Sequence, residues 1–178
     1  MREWKPLRIE TIVAHRLLEV QRHHLESDDR RRQALVFDSP DWVNVVPLLD
    51  DGRVVLVRQW RYGIQQLSVE VPGGLIDPGE DHRTAAAREL EEETGYRAGR
   101  IEHIGGVHPN PALLTNHMSF WLATELERVS EVPLGDGEEE LEVLTVPLES
   151  IPDMARSGEI SHALAICAFY YLELAKRT

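Results

Sequence analysis

The chain predicts an α/β fold, a mixed sheet sandwiched between helices in an α/β/α arrangement, and three observations carry that prediction. Short runs rich in β-branched and aromatic residues recur at 43–48, 54–60, 101–107, 118–126 and 141–146. A segment of helical composition, 82–94, stands among them. Two further helical segments, 148–157 and 162–176, close the chain. The 178 residues, 42% of them hydrophobic, suffice for one core with an extension and fall short of two full domains.

The elements follow in order. Residues 1–40 read as a small N-terminal β extension: 9–20 suits strands, 23–32 is polar, and 34–37 is a short apolar run before Ser39-Pro40-Asp41 punctuates the chain. From residue 41 the main domain runs to 178, opening with 43–48, a turn at Asp50-Asp51-Gly52 and 54–60, which reads as a hairpin. Val69-Glu70-Val71 leads through Pro72-Gly73-Gly74 into a loop and then the 82–94 helix, where Ala85-Ala86-Ala87 favours helix and Gly95 reads as its C-terminal cap. The last helix carries Ala, Leu, Tyr and Phe on a face expected to be buried.

Composition narrows the function classes. A formal net charge of −12 argues against nucleic acid as the main ligand, because that binding rests on clustered Lys and Arg. Small phosphorylated ligands stay open, since a bound cation supplies positive charge locally. Cys167 is the only cysteine, which excludes an intramolecular disulfide and a thiolate zinc set and suits a cytoplasmic protein. The charged N-terminus does not read as a secretory signal, and no apolar run reaches the length of a membrane span. There is no His-Glu-x-x-His, no Gly-x-Ser-x-Gly and no phosphate loop ending Gly-Lys-Ser/Thr.

The chemistry concentrates at 74–96. Residues three and four apart on a helix are surface neighbours, so Glu89, Glu92 and Glu93 would gather three carboxylates on one face. Mutual repulsion then disfavours full ionisation, and a hard cation, magnesium or manganese, suits such an oxygen cluster. Arg88 adjoins it, and Gly73 and Gly74 let the preceding backbone approach closely and turn a carbonyl toward an ion.

Gly74, Glu80, Arg88, Glu89, Leu90, Glu92, Glu93 and Gly95 together resemble the Nudix box, Gly-x5-Glu-x7-Arg-Glu-U-x-Glu-Glu-x-Gly-U, where U is a bulky aliphatic residue. Tyr96 departs at the last position. The resemblance implies the Nudix sandwich and a metal site of Glu89, Glu92, Glu93 and the Gly73 carbonyl, with Glu80 orienting Arg88 or a helix end. Outside the box, Arg58-Gln59-Trp60-Arg61-Tyr62, Glu70-Val71-Pro72-Gly73-Gly74 and Pro111, fifteen residues after Tyr96, resemble the ADP-ribose and nucleoside diphosphate sugar hydrolases of that family.

That subgroup implies metal-dependent hydrolysis of a nucleoside diphosphate sugar to a nucleoside monophosphate and a sugar phosphate. Other nucleoside diphosphate derivatives (GDP-mannose, a dinucleoside polyphosphate, NADH) and a non-catalytic nucleotide-sugar sensor are the alternatives. Arg61, backed by Arg58, is the candidate for gripping the diphosphate or terminal sugar, because a guanidinium fork pairs with phosphate oxygens bidentately. Trp42 is the candidate for stacking on the base, against a role in core packing. The general base is sought in the acidic loop 135–140, where register picks Glu139 with Glu140 close behind and Glu138 also open; Glu92 is a further catalytic candidate. The resemblance also implies a homodimer in which the extension swaps between subunits.

Overall fold

The valine-rich runs after Asp41 build the core, although they do not form the expected hairpin. The protein is seen in a computed structural model that describes residues 2–130 and 140–177. It divides into two compact units, one holding the chain up to Asp41 with Val107–Met118, the other Trp42–Gly106 with the chain from Ser119 onward.

In the first unit, β1 (Lys5–His15), β2 (Leu18–Ser27) and β3 (Arg30–Asp38) form an antiparallel meander in the order β1-β2-β3. The polar stretch from His23 lies within β2 and β3, where His23 faces Ala34 and Ser27 faces Arg30. Backbone pairing holds it extended without hydrophobic alternation. Asp28 takes a left-handed φ of 54° at the turn, a conformation that Asp tolerates better than most residues. The 107–118 segment joins this unit through Phe37 N–H, which donates to the Leu113 carbonyl at 2.7 Å, and Thr115 N–H, which donates back to the Phe37 carbonyl at 3.2 Å. Leu7, Ile9, Ile12, Val13, Leu17 and Leu35 stay exposed.

In the second unit, β4 (Trp42–Pro47), β5 (Arg53–Arg61), β6 (Gln66–Glu70), β7 (Gly73–Leu75), α1 (His82–Thr94), β8 (Tyr96–Val107), β9 (Met118–Arg128) and β10 (Leu141–Pro147) follow in order. A 3-10 turn at Leu148–Ser150, α2 (Ile151–Ser157) and α3 (Ala163–Ala175) complete it. Strands β7-β4-β9-β8 form one sheet and β10-β5-β6 another. The hairpin expected from β4 and β5 is therefore corrected: an isolated bridge from Leu48 to Val54 follows β4, and the two strands enter different sheets. Both runs are buried from Val43 to Val46 and from Val54 to Val57, and each takes an interior place in its own sheet, β4 between β7 and β9 and β5 between β10 and β6.

Helix α1 starts where Asp81 accepts hydrogen bonds from the Arg83 and Thr84 N–H groups at 3.0 and 3.1 Å, satisfying two orphan donors. It stops at Gly95, whose φ of 70° is left-handed and whose N–H reaches the Glu91 carbonyl. Ala85, Ala86 and Leu90 pack against Val43, Val45, Ile101, Trp121 and Ala123. At about 100° per residue, Glu89 and Glu93 fall within the sector bounded by Ala85 and Thr94, and Glu92 falls just outside it. The position of the helix thus decides which acids are drawn inward.

Candidate active site

The box residues come together around Arg88. Its Nε and Nη2 donate to the two oxygens of Glu80 at 3.0 and 2.9 Å, Nη1 donates to Glu89 at 2.8 Å and Glu92 at 3.1 Å, and Nη2 also reaches the Leu75 carbonyl at 3.0 Å. One guanidinium ties the loop after β7 to the helix and partly neutralises three carboxylates. These contacts raise the Arg88 pKa, the Glu80 hydrogen bond most of all, so the cation is permanent. The same bond with Arg88 holds the Glu80 carboxyl below its ordinary range.

The acids differ as their helical positions require. Glu89 is 13% exposed and Glu92 60% exposed. Burial pushes the Glu89 carboxyl up, with Glu92 and Glu80 adding to the push and Arg88 opposing it. Glu93 accepts the Gly73 N–H at 2.9 Å, fixing the loop to the helix a second time.

The glycines leave the room these contacts need. A Cβ on Gly74 would stand 2.6 Å from the Glu89 Cδ, closer than any real contact. On Gly73 it would meet the Val43 carbonyl and stand 2.9 Å from the Asn44 Cα. Among the described residues, no three His, Cys, Asp or Glu side chains are drawn together as closely as an ion requires; Arg88 stands among the acids. The donor set nevertheless fits a hard cation, being carboxylate oxygens beside a glycine cradle that keeps Glu89 unobstructed.

The other candidates are dispersed. Arg61 forks onto Glu70, Nε to one oxygen at 2.9 Å and Nη2 to the other at 2.7 Å. Glu70 is 4% exposed, and His162 lies 3.8 Å from it. Burial raises the Glu70 pKa, but Arg61, His162 and Ser68 together outweigh it and hold the carboxyl below its ordinary value. Reading the sequence for site residues passed over Glu70 and His162. The available signal was a lone acid between two valines, directly before Pro72-Gly73-Gly74.

Arg58 donates through Nε to Glu142 at 2.9 Å across the β5–β10 ladder, where the two residues face each other. Trp42 is half-buried opposite Leu75, and its Nε1 is shielded from solvent with no hydrogen-bond partner among the described residues. Pro111 is exposed and belongs to the first unit. Glu140 is exposed just before β10, while Glu138 and Glu139 lie outside the described residues.

An α/β domain whose helix sets Glu89 and Glu92 on one arginine beside a glycine-rich loop fits the class of a phosphate-bond hydrolase. The Nudix domain model matches residues 39–166, and the chain belongs to the Nudix family as a pyrophosphohydrolase. The ADP-ribose pyrophosphatase of Bacillus subtilis (strain 168) is 34% identical over 135 residues, covering 76% of this chain and 73% of that protein. The GDP-mannose pyrophosphatase of Salmonella typhimurium (strain LT2) is 30% identical over 158 residues, covering 87% and 80%. The crystal structure of an ADP compounds hydrolase superposes with a TM-score of 0.86 at 27% identity, over 98% of this chain and 95% of that one. No helix among the described residues is long and apolar enough to cross a membrane.

Proposed function

We propose that the protein hydrolyses the diphosphate linkage of nucleoside diphosphate sugars, ADP-ribose first, to a nucleoside monophosphate and a sugar phosphate. The observation that carries this reading is the box assembled around Arg88, with Glu89 drawn inward against the Gly74 cradle. The ADP-ribose pyrophosphatase and ADP compounds hydrolase likenesses support the choice of substrate. Likeness to a GDP-mannose pyrophosphatase makes GDP-mannose the second substrate to try.

Glu89, Glu92, Glu93 and the Gly73 carbonyl would hold magnesium or manganese, which supplies an activated water and charge relief at the phosphoryl oxygens when bound. Arg88 and Glu80 keep the carboxylates oriented. Arg61, fixed by Glu70, and Arg58 bind the diphosphate or terminal sugar through guanidinium N–H groups. Glu139 or Glu140 takes the proton of the attacking water as one P–O bond forms and the bridging P–O bond breaks. Trp42 stacks on the base of the nucleoside.

Residues 1–40 act as an extension swapped between the subunits of a homodimer. Exposed Leu7, Ile9, Ile12 and Val13 on its sheet, and exposed Trp60, Tyr62, Ile64 and Leu67 on the second unit, support an apolar partner for both. The deciding experiment incubates the protein with a panel of nucleoside diphosphate sugars, with and without magnesium, and identifies the products. Nucleoside monophosphate plus sugar phosphate, formed only with metal, is expected. Free sugar, preference for nucleoside triphosphates, or binding without turnover would overturn the reading.

A further inference from the structure

Three elements converge on one carboxylate outside the box. Arg61 ends β5, Glu70 ends β6, and His162 stands at the N-terminal cap of α3. The acid is 4% exposed and the arginine 39% exposed, so Glu70 is the interior anchor and the guanidinium opens outward. Sheltering such a pair seldom adds stability over apolar residues of the same volume. Its use lies in fixing the arginine.

His162 brings a conflict to this pair. Its Nδ1 lies 3.4 Å from the Ala165 N–H that it caps and 3.8 Å from Glu70 Oε2, the same oxygen that accepts Arg61 Nη2 at 2.7 Å. A ring nitrogen carries either a lone pair or a proton. Neutral, Nδ1 accepts from the helix; protonated, it gives up the cap and donates to Glu70 in competition with Arg61.

We propose that His162 is a positioning residue for Arg61: in its neutral form it leaves Glu70 Oε2 to the arginine, and in its protonated form it draws that oxygen away and loosens the guanidinium. The consequence for catalysis rests on the reading of Arg61 as a diphosphate ligand. Among the described residues, the charged groups facing the imidazole are Glu70 from β6 and Arg61 from β5, and α3 carries no acid in its first turn. Burial, aided by Arg61 and opposed by Glu70, lowers the His162 pKa, so the neutral form prevails at neutral pH.

The test uses His162→Asn in the full chain, because Asn caps helices well and does not titrate; His162→Ser, another good cap, repeats it should the first variant fold poorly. Two quantities are followed from about pH 8 to about pH 4.5, a range carried below the ordinary titration of histidine because burial lowers that of His162. One is hydrogen exchange at Arg61 Nε–H by ¹⁵N NMR; the other is KM for ADP-ribose. In the wild type, exchange at Arg61 Nε–H, taken relative to free arginine at the same pH so that base catalysis cancels, should quicken as the pH falls, and KM should rise about fivefold more than in the variants while kcat follows theirs, a loss of binding affecting ground and transition states alike. In the variants the relative exchange should not change with pH, and the additional rise in KM should be absent. Variants that follow the wild-type exchange profile would overturn the proposal whatever KM does. Should exchange respond as expected while Arg61→Ala keeps the wild-type KM, the positioning by His162 stands and the reading of Arg61 as a ligand falls.

Discussion

Replacing Gly74 by alanine separates what the box does for the fold from what it does for the metal. The new Cβ would clash with Glu89 Oε1 and stand 2.6 Å from Cδ and 2.7 Å from Oε2, so the carboxylate must retreat by about 1 Å to reach the 3.4 Å of ordinary contact. The atoms met are the far end of a side chain and not backbone, so the carboxylate and not the core strand has to give way. The Arg88 bond to Glu89, 2.8 Å in the wild type, lengthens with it. A misplacement near 1 Å in a catalytic array costs on the order of a hundredfold in rate. Gly74→Ala should therefore melt within a few degrees of the wild type while its turnover of ADP-ribose falls about a hundredfold at fixed magnesium. Binding of manganese, read by electron paramagnetic resonance, should weaken in parallel. Full activity at the wild-type metal concentration would refute the cradle argument, and so would loss of folding.

Gly73→Ala should behave oppositely, because its Cβ meets the Val43 carbonyl and the Asn44 Cα, backbone atoms of a core strand; a melting temperature depressed far more than in Gly74→Ala checks this. Glu93→Gln should cut the metal-dependent rate at least about a hundredfold with the fold kept, since a neutral amide weakens a hard-cation site; near wild-type turnover would exclude Glu93 as a ligand. Glu70, whose carboxyl is held below its ordinary range, contributes stability that is present above that range and lost as the pH falls through its folded pKa. Glu70→Gln should thus be less stable than the wild type at neutral pH, with the gap closing in acid, as denaturant titration at several pH values would reveal. Removal of residues 1–40 should abolish a dimer seen by light scattering and raise KM while sparing metal binding; a monomeric wild type at micromolar concentration would defeat the swapped-extension proposal.

Local chemistry made the box legible in the sequence. The spacing of Glu89, Glu92 and Glu93 is a property of any helix, and Gly95 ends α1 as its left-handed cap because that choice depends on one residue's backbone freedom. Family membership and the α/β fold followed from the same segment together with the strand pattern. The order of exposure among those acids was not legible, because it depends on which sector of α1 meets Val43, Val45 and Trp121.

Pairing over distance was likewise decided by the tertiary structure. β4 and β5 look like a hairpin because each is a buried valine run beside a turn, yet strands of that kind need neighbours on both edges, and their neighbours are β7 and β9 for one, β6 and β10 for the other. The polar residues from His23 became strand through a ladder to β3 that hydrophobic patterning does not encode. Arg61 read alone is a free fork for phosphate. Only the fold brings Glu70 across the β5–β6 pair and His162 from the start of α3, because side chains so far apart in the chain meet only after two sheet strands and a helix have packed. Short-range geometry, set by single residues and helical periodicity, thus belonged to the sequence, whereas burial and long-range charge pairing waited on packing.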